Sequence, residues 1–169
     1  MPGTPKEVVP VRLLQAVRPA RRIRLSSELA SAFRDELERI VFFNPEQQSV
    51  TGHLVASVHR FGAPSIVEEQ DRLRFRVSAL GMLQTLYAFD ETDGESRLVG
   101  AAMFTRDGPA TIAVLHLALH EDYTARGKWA GAAVVGRLLG AIRGAALRTH
   151  GIRRLRIPYP HEAEIELCD

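Results

Sequence analysis

The stretch that decides the fold runs from residue 113 to residue 147 and reads AVLHLALHEDYTARGKWAGAAVVGRLLGAIRGAAL. Its first part, residues 113–119, alternates with a period of two, and both alternating sets are largely apolar, which is typical of a central strand buried on both faces. From Ala132 onward apolar residues recur every three or four positions, which predicts a helix that ends before Gly151. The apolar stripe of that helix consists of Val135, Leu138, Leu139, Ile142, Ala146 and Leu147.

A short polar loop connects the predicted strand to the predicted helix. The order strand, loop, helix directs several main-chain N–H groups and the positive end of a helix dipole at one point, and such a point attracts phosphate. The alternative to a phosphate-binding loop is an ordinary strand-to-helix turn in another α/β domain. The loop consists of Arg126, Gly127, Lys128, Trp129, Ala130 and Gly131.

This arrangement resembles the GNAT acyltransferase superfamily, in which a strand with a polar end is followed by Gln/Arg-x-x-Gly-x-Gly/Ala at the start of a helix. Residues 117–123 are similar to the strand end, and Arg126, Trp129 and Gly131 fall on the three fixed positions. Trp129 replaces the first glycine, which requires a negative φ and a ring turned away from the phosphates. A second register over residues 124–129 keeps the first glycine but loses the second, and we prefer the first register.

The resemblance implies acetyl-CoA as co-substrate. In GNAT folds the loop holds the pyrophosphate, and the pantetheine arm lies between two diverging parallel strands whose main-chain groups it satisfies. By this resemblance the cofactor-binding residues are the main chain of Leu117 and Leu119 together with the whole loop, residues 126–131.

Composition limits the protein class. With 169 residues, 46% of them hydrophobic, the chain has enough apolar side chains for one sizeable core, which we assign to residues 21–169. Residues 1–20, with four prolines, predict an extended N-terminal arm. The formal net charge is +2, and arginines cluster near residues 12–24 and 72–76. Solvated strand faces explain these clusters better than an anionic partner does, so nucleic acid is not the expected ligand.

Location and metal content follow from the same composition. The only cysteine, Cys168, has no intrachain partner, which favours a reducing compartment. No N-terminal run has the features of a signal peptide or a membrane span, so we predict a cytoplasmic protein without a membrane partner. The six histidines show no metal-ligand spacing, and we predict no metal site.

The N-terminal half is expected to supply a strand and two helices. Residues 21–25 alternate as a first strand, and Ser26 or Ser27 is expected to cap a first helix. Asn44 and Pro45 signal the start of a second helix, which Gly62 ends. The apolar positions of the two helices are Leu29, Phe33, Leu37, Ile40 and Val41 in the first and Val50, Leu54, Val58 and Phe61 in the second.

The remaining strands complete the predicted sheet. Residues 72–79, 83–89 and 98–104, with turns at Asp93-Gly94 and Asp107-Gly108-Pro109, predict a meander of four antiparallel strands ending in the central one. Residues 154–157 predict a strand parallel to the one before Arg126, because a crossover helix separates them. The fold class is therefore α+β: a GNAT-like mixed, mostly antiparallel twisted sheet with two N-terminal helices and one central helix after the phosphate-binding loop.

The predicted meander has one strand more than the family needs, and after residue 157 only Pro158–Asp169 remain, where a full GNAT domain has a further helix and two strands. Either the surplus strand and the N-terminal arm substitute for this segment, or a second subunit completes the sheet. We favour the homodimer.

Acetyl transfer to an amine needs a positioned thioester, a donor to its carbonyl oxygen and a base. A main-chain N–H near Leu119 is the expected donor. The candidate base is His116, with Glu121 and His120 as second choices, and Tyr159 is the candidate acid toward the thiolate. Each has a plain structural alternative, namely a core histidine, solvated turn residues and a proline-flanked turn.

Three functions therefore remain open. The first is an acyl-CoA dependent N-acyltransferase that moves acetyl from acetyl-CoA to a primary amine by direct attack. The second is a catalytically inactive GNAT-like acyl-CoA-binding or interaction module. The third, and the least favoured, is a basic nucleic-acid-binding protein. The sequence names neither the acceptor nor the length of the acyl chain.

Overall fold

A computed structural model describes residues 20–43, 51–157 and 163–167, with the main chain alone for residues 51–55. The predicted extended arm lies outside these residues except for Ala20. The described part is an α+β fold with a mixed, mostly antiparallel sheet, as predicted.

The larger sheet has six strands in the order β1-β5-β6-β7-β8-β9. All neighbours are antiparallel except β7 and β8, which are parallel because helix α3 (Val134–Leu147) crosses over between them. Strand β7 is buried along most of its length, which confirms the prediction of a central strand buried on both faces. The strands are β1 (Ile23–Ser26), β5 (Gln84–Asp90), β6 (Arg97–Arg106), β7 (Thr111–Leu119), β8 (Arg154–Ile157) and β9 (Ala163–Glu166).

A second, smaller sheet contains β2 (Ser65–Glu69), β3 (Arg72–Val77) and β4 (Gly81–Met82) in the order β2-β3-β4. Strand β3 alternates exposed and buried residues throughout, as predicted. The predicted meander of four strands is wrong, because β3 pairs with β2 and β4 and leaves only β5, β6 and β7 in the larger sheet. The surplus strand therefore belongs to a separate layer beside the first helices.

Helix α1 (Arg34–Phe42) follows a 3-10 turn at Ser31–Phe33, and helix α2 (Thr51–Phe61) comes next. The predicted serine cap is wrong: α1 begins eight residues after Ser26, whose hydroxyl instead bonds the main chain of Glu28. Residues 44–50, including the predicted Asn44-Pro45 start and Val50, lie outside the described residues. The side chain of Leu54 is also not described.

The core has two parts, one on each face of the larger sheet. On one face α1, β3 and the inward residues of β5 and β6 pack together, with Leu37, Phe75 and Tyr87 fully buried. The predicted stripe of α2 is only partly confirmed, since Phe61 packs against this core and Val58 is 42% exposed. On the other face α3 covers the sheet.

The buried stripe of α3 consists of Val134, Leu138, Ile142 and Ala146, every fourth residue. The prediction that Val135 and Leu147 belong to this stripe is wrong, because both are exposed. Each directly follows a buried position, so its side chain points away from the core. By length and composition Ala130–Leu147 is also long and apolar enough to cross a membrane, which is weak evidence because a helix packed on a core passes the same test.

The C-terminal segment adds a strand that the sequence analysis missed. All four residues of β9 pair antiparallel with β8, and Arg154 forms an ion pair with Glu164 across the two strands. At this edge residues of the C-terminal segment itself continue the sheet, which neither of the two alternatives in the sequence analysis included.

Candidate functional site

Strands β7 and β8 run together for only a short distance. Their register covers Thr111, Ile112 and Ala113 of β7, and within the described residues β7 then continues through residues 114–119 without a partner in β8. The other edge of β7 pairs with β6 as far as Leu119. Strand β8 is only four residues long, so the parallel register ends at Ala113 while β7 continues to Leu119.

A β-bulge lies just beyond Ala113, the last residue of β7 that pairs with β8. The register pairs Phe104 with Val114 and Met103 with His116, so Leu115 is the additional residue. Because of the bulge, Leu115 and His116 both line one cavity on the α1 face of the sheet, whereas Leu117 and Leu119 pack on the α3 face. Bulges are frequent beside active sites because they redirect a side chain.

His116 is 7% exposed. Burial lowers the pKa of its imidazole to about 4, so the ring is neutral at pH 7. The ordinary pKa of a histidine is 6.5, and the shift matters because a base works best when its pKa lies near the working pH. Its position in a cavity wall is that of a candidate site residue, while its basicity is weak.

The loop between β7 and α3 is anchored by a buried polar cluster. The Tyr123 hydroxyl donates to Asp90 at 2.5 Å, and the main-chain N–H of Trp129 donates to Asp122 at 2.6 Å. Burial opposes ionisation of Asp90, but hydrogen bonds from Thr92 and Tyr123 and the charge of Arg21 outweigh it and lower its pKa. This cluster fixes the loop against the end of β5.

Trp129 has φ −116°, so its backbone has the negative φ that the sequence analysis required. Its ring lies 3.7 Å from the guanidinium of Arg21 and 4.8 Å from the ammonium of Lys128, which makes it a cation–π platform. The tryptophan therefore packs against the residues that precede β1.

The predicted nest of amides over residues 126–131 is only partly available. The amides of Gly127, Trp129 and Ala130 donate to carbonyls within residues 122–127. Among the described residues, amides for which the structure shows no acceptor are those of Arg126 and Gly131 and those in the first turn of α3, Val134 to Gly136. Most of these amides thus lie nearer the start of α3 than the sequence analysis predicted.

Helix α3 has an unusual N-terminus. It has no side-chain cap and no acidic residue in its first turn, and Ala133 before it has a left-handed φ of 51°. Arg137 follows in the first turn, where a cation is unfavourable for the helix dipole unless an anion is near. The sequence analysis missed Arg137, although a basic residue near a helix N-terminus, where the dipole disfavours it, could have identified this position.

A cavity of about 290 Å³ opens beside this helix terminus, and we call it the cationic cavity. Among the described residues of its wall, three are basic and none is acidic. Arg21 is paired with Asp93 at 2.8 Å, Lys128 lies over the Trp129 ring, and the Arg137 guanidinium donates to the main-chain carbonyl of Ala132 at 3.1 Å. The cationic cavity is lined by Ala20, Arg21, Lys128, Trp129, Gly131, Ala132 and Arg137.

The other predicted site residues do not join these groups. Glu121 is exposed and lines neither cavity, and Arg126 is exposed in the loop. His120 is buried: one ring nitrogen lies 2.7 Å from Arg97 and the other accepts from the Asp122 amide, which indicates a structural role. Tyr159 lies outside the described residues. Among the described residues no group of three or more His, Cys, Asp or Glu could hold a metal.

The geometry thus presents a short parallel strand pair that ends partway along β7, an uncapped helix terminus with nearby cations, and an apolar cavity at a bulge on the opposite face of the sheet. Compared with known proteins, the chain matches no family model, no curated protein and no solved structure.

Proposed function

We propose that this protein is an acyl-CoA dependent N-acyltransferase of the GNAT type, which transfers acetyl from acetyl-CoA to a primary amine by direct attack. One observation is the basis of the proposal. The second half of β7 extends beyond its short parallel register with β8 and leads, through an anchored loop, into the uncapped N-terminus of α3 beside Lys128 and Arg137. A peptide-like arm fits beside the strand, and a diphosphate fits at the helix.

In the proposed reaction the amine nitrogen attacks the thioester carbonyl carbon. The C–N bond forms, the C–S bond breaks, and the sulfur leaves as a thiolate that takes the proton lost by the amine, giving an amide and free CoA. Direct attack requires a neutral amine. Entry into an uncharged cavity disfavours the ammonium form, so desolvation supplies part of what a strong base would otherwise do.

The alternative function is an acyl-CoA-binding module without catalysis. The low basicity of His116 favours it, because a base with a pKa of about 4 removes a proton from an amine inefficiently. The two functions differ in one measurement: both predict CoA binding, and only the enzyme predicts amine-dependent release of free thiol. A cytoplasmic location and a homodimer are part of the proposal for either function.

The first test is a thermal-shift titration with acetyl-CoA, followed by a thiol-release assay over a panel of amines. Binding at a hundredfold excess over the dissociation constant should stabilise the protein by about 2.7 kcal/mol. Release of thiol only in the presence of an amine would support the enzyme. Stabilisation without release would support the binding module, and no stabilisation would exclude both.

The matched variants are Gly131→Asp and Gly140→Asp. An added Cβ meets nothing within 4 Å at either glycine, so both variants should fold. The new carboxylate at residue 131 would compete for the α3 amides and repel a diphosphate, whereas residue 140 lies more than a turn farther along the helix. We expect loss of CoA binding in the first variant only, and unchanged affinity in Gly131→Asp would contradict the proposed site.

A further inference from the structure

The cavity on the α1 face of the sheet, which we call the apolar cavity, lies where the bulge of β7 faces helices α1 and α2. Its volume is about 290 Å³. Its wall is built mainly from aromatic and aliphatic side chains of several elements, which include Val41, Phe61, Leu83, Met103 and Leu115.

The apolar cavity has no charged group in its described lining. Ser57 and His116 are the polar side chains among its described lining residues, and the imidazole is neutral at pH 7 because burial lowers its pKa. A cation placed here would lose its hydration without gaining a counter-charge, which is costly. The cavity therefore selects against ligands that bring a charge into it.

Its size suits a ring or a branched chain. A dry protein cavity of about 150 Å³ already holds a benzene molecule, and this one has roughly twice that volume. Two apolar residues at its edge, Phe42 and Val58, are 39% and 42% exposed. Apolar side chains exposed around a concave apolar site are typical of a ligand-binding groove.

We propose that the acceptor is an amine attached to an aromatic or branched aliphatic group, and that this group occupies the apolar cavity. The inference rests on the proposed function, which places the thioester beside β7, next to the bulge. The cavity opens on the face of the sheet opposite α3, so an acceptor reaches the thioester from the side away from the CoA phosphates. Polyamines and other polycations are poor acceptors.

An acyl chain is the competing occupant. An imidazole in the wall gives an alkyl chain nothing to bind, whereas it offers a polar neighbour to an amine. The test therefore includes acyl-CoA chain length as a separate variable.

The test uses Ser57→Phe, which fills the apolar cavity from α2, and Ala56→Phe as its matched control. Ala56 is exposed on the same helix and does not line the cavity. In thiol-release assays we expect wild type to prefer 2-phenylethylamine over 1,4-diaminobutane, and Ser57→Phe to reduce kcat/KM for 2-phenylethylamine at least about tenfold. The control should behave as wild type, and both variants should keep the stabilisation by CoA.

A second readout needs neither CoA nor turnover. The neutral dye N-phenyl-1-naphthylamine should bind wild type and Ala56→Phe, bind Ser57→Phe at least about tenfold more weakly, and be displaced by 2-phenylethylamine but not by 1,4-diaminobutane. Equal displacement by both amines, or dye binding unaffected by Ser57→Phe, would overturn the inference. So would a Ser57→Phe defect confined to long-chain acyl-CoA substrates. Failure of the proposed function would instead appear as no stabilisation by CoA.

Discussion

Two glycines of the loop between β7 and α3 have different roles. A Cβ on Gly127 would lie well under 3.0 Å from main-chain atoms of Glu121 and Asp122, whereas a Cβ on Gly131 meets nothing within 4 Å. We expect Gly127→Ala to destabilise the protein by about 1–3 kcal/mol, because two backbone segments must move apart. Gly131→Ala should change the free energy of unfolding by less than about 0.5 kcal/mol. Urea denaturation of both variants measures the difference, and equal stabilities would contradict the described loop.

His116 makes a pH-dependent contribution to stability. Its pKa is about 4 in the folded protein and its ordinary value is 6.5, so between these values the unfolded chain takes up a proton that the folded protein does not. The stability due to the neutral ring is therefore present above pH 6.5 and lost as the pH falls toward 4. About 2 kcal/mol should be lost between pH 7 and pH 5.

The measurement for His116 is the free energy of unfolding of wild type and His116→Gln at both pH values. The variant should lose less stability than wild type on acidification, because glutamine does not titrate, while contributions from other groups are shared. Identical pH dependence in the two proteins would mean that the ring is solvated rather than buried.

Single residues were predictable where local chemistry decides them. The need for a negative φ at Trp129 followed from the absence of a glycine, and the structure has it. The contact of its ring with Arg21 could not be predicted, because Arg21 comes far earlier in the chain and the two meet only through the sheet. The same holds for the burial of His116, on which its pKa depends.

At the scale of elements, alternation identified strands but not their partners. The pattern of Arg72–Val77 gave a half-buried strand, yet nothing in it distinguishes one sheet from another, and it lies in the smaller sheet. Strands β2 and β9 were missed because each is short and contains two glutamates. Their stability comes from pairing with arginine-bearing neighbours, which a single-segment pattern does not contain.

Two adjacent valines of α3 allow a test of which face of the helix packs on the sheet. Val134 is 1% exposed and packs on the sheet, whereas Val135 is 37% exposed. Val134→Ala should cost about 2 kcal/mol through lost burial and a residual cavity. Val135→Ala should be neutral or slightly stabilising, because alanine favours a helix more than valine does. Thermal or urea unfolding compares them, and the reverse order would restore the stripe that the sequence analysis predicted.

For the whole molecule, the order of elements was largely predictable and their layering was not. The parallel pairing of β7 with β8 followed from the crossover helix and is confirmed. The split into two sheets depends on the path of the chain after β1. There the chain leaves the larger sheet, and Leu29 and Ala30 pair with β3. That choice is a balance of long-range contacts, so local sequence does not determine it.

Charge distribution gives the last prediction, which concerns nucleic acid. Arginines that looked like an anion-binding face are paired: Arg72 lies 3.3 Å from Glu28, and Arg76 lies 3.6 Å from Glu69. With a formal net charge of +2, we expect wild type to bind a labelled DNA duplex no more tightly than about 10⁻⁴ M at physiological salt, measured by fluorescence anisotropy. Replacing both partners, Glu28→Gln with Glu69→Gln, should strengthen binding and steepen its salt dependence, because two arginines become available to phosphate. Micromolar, steeply salt-dependent binding by wild type would instead select the nucleic-acid hypothesis over the acyltransferase.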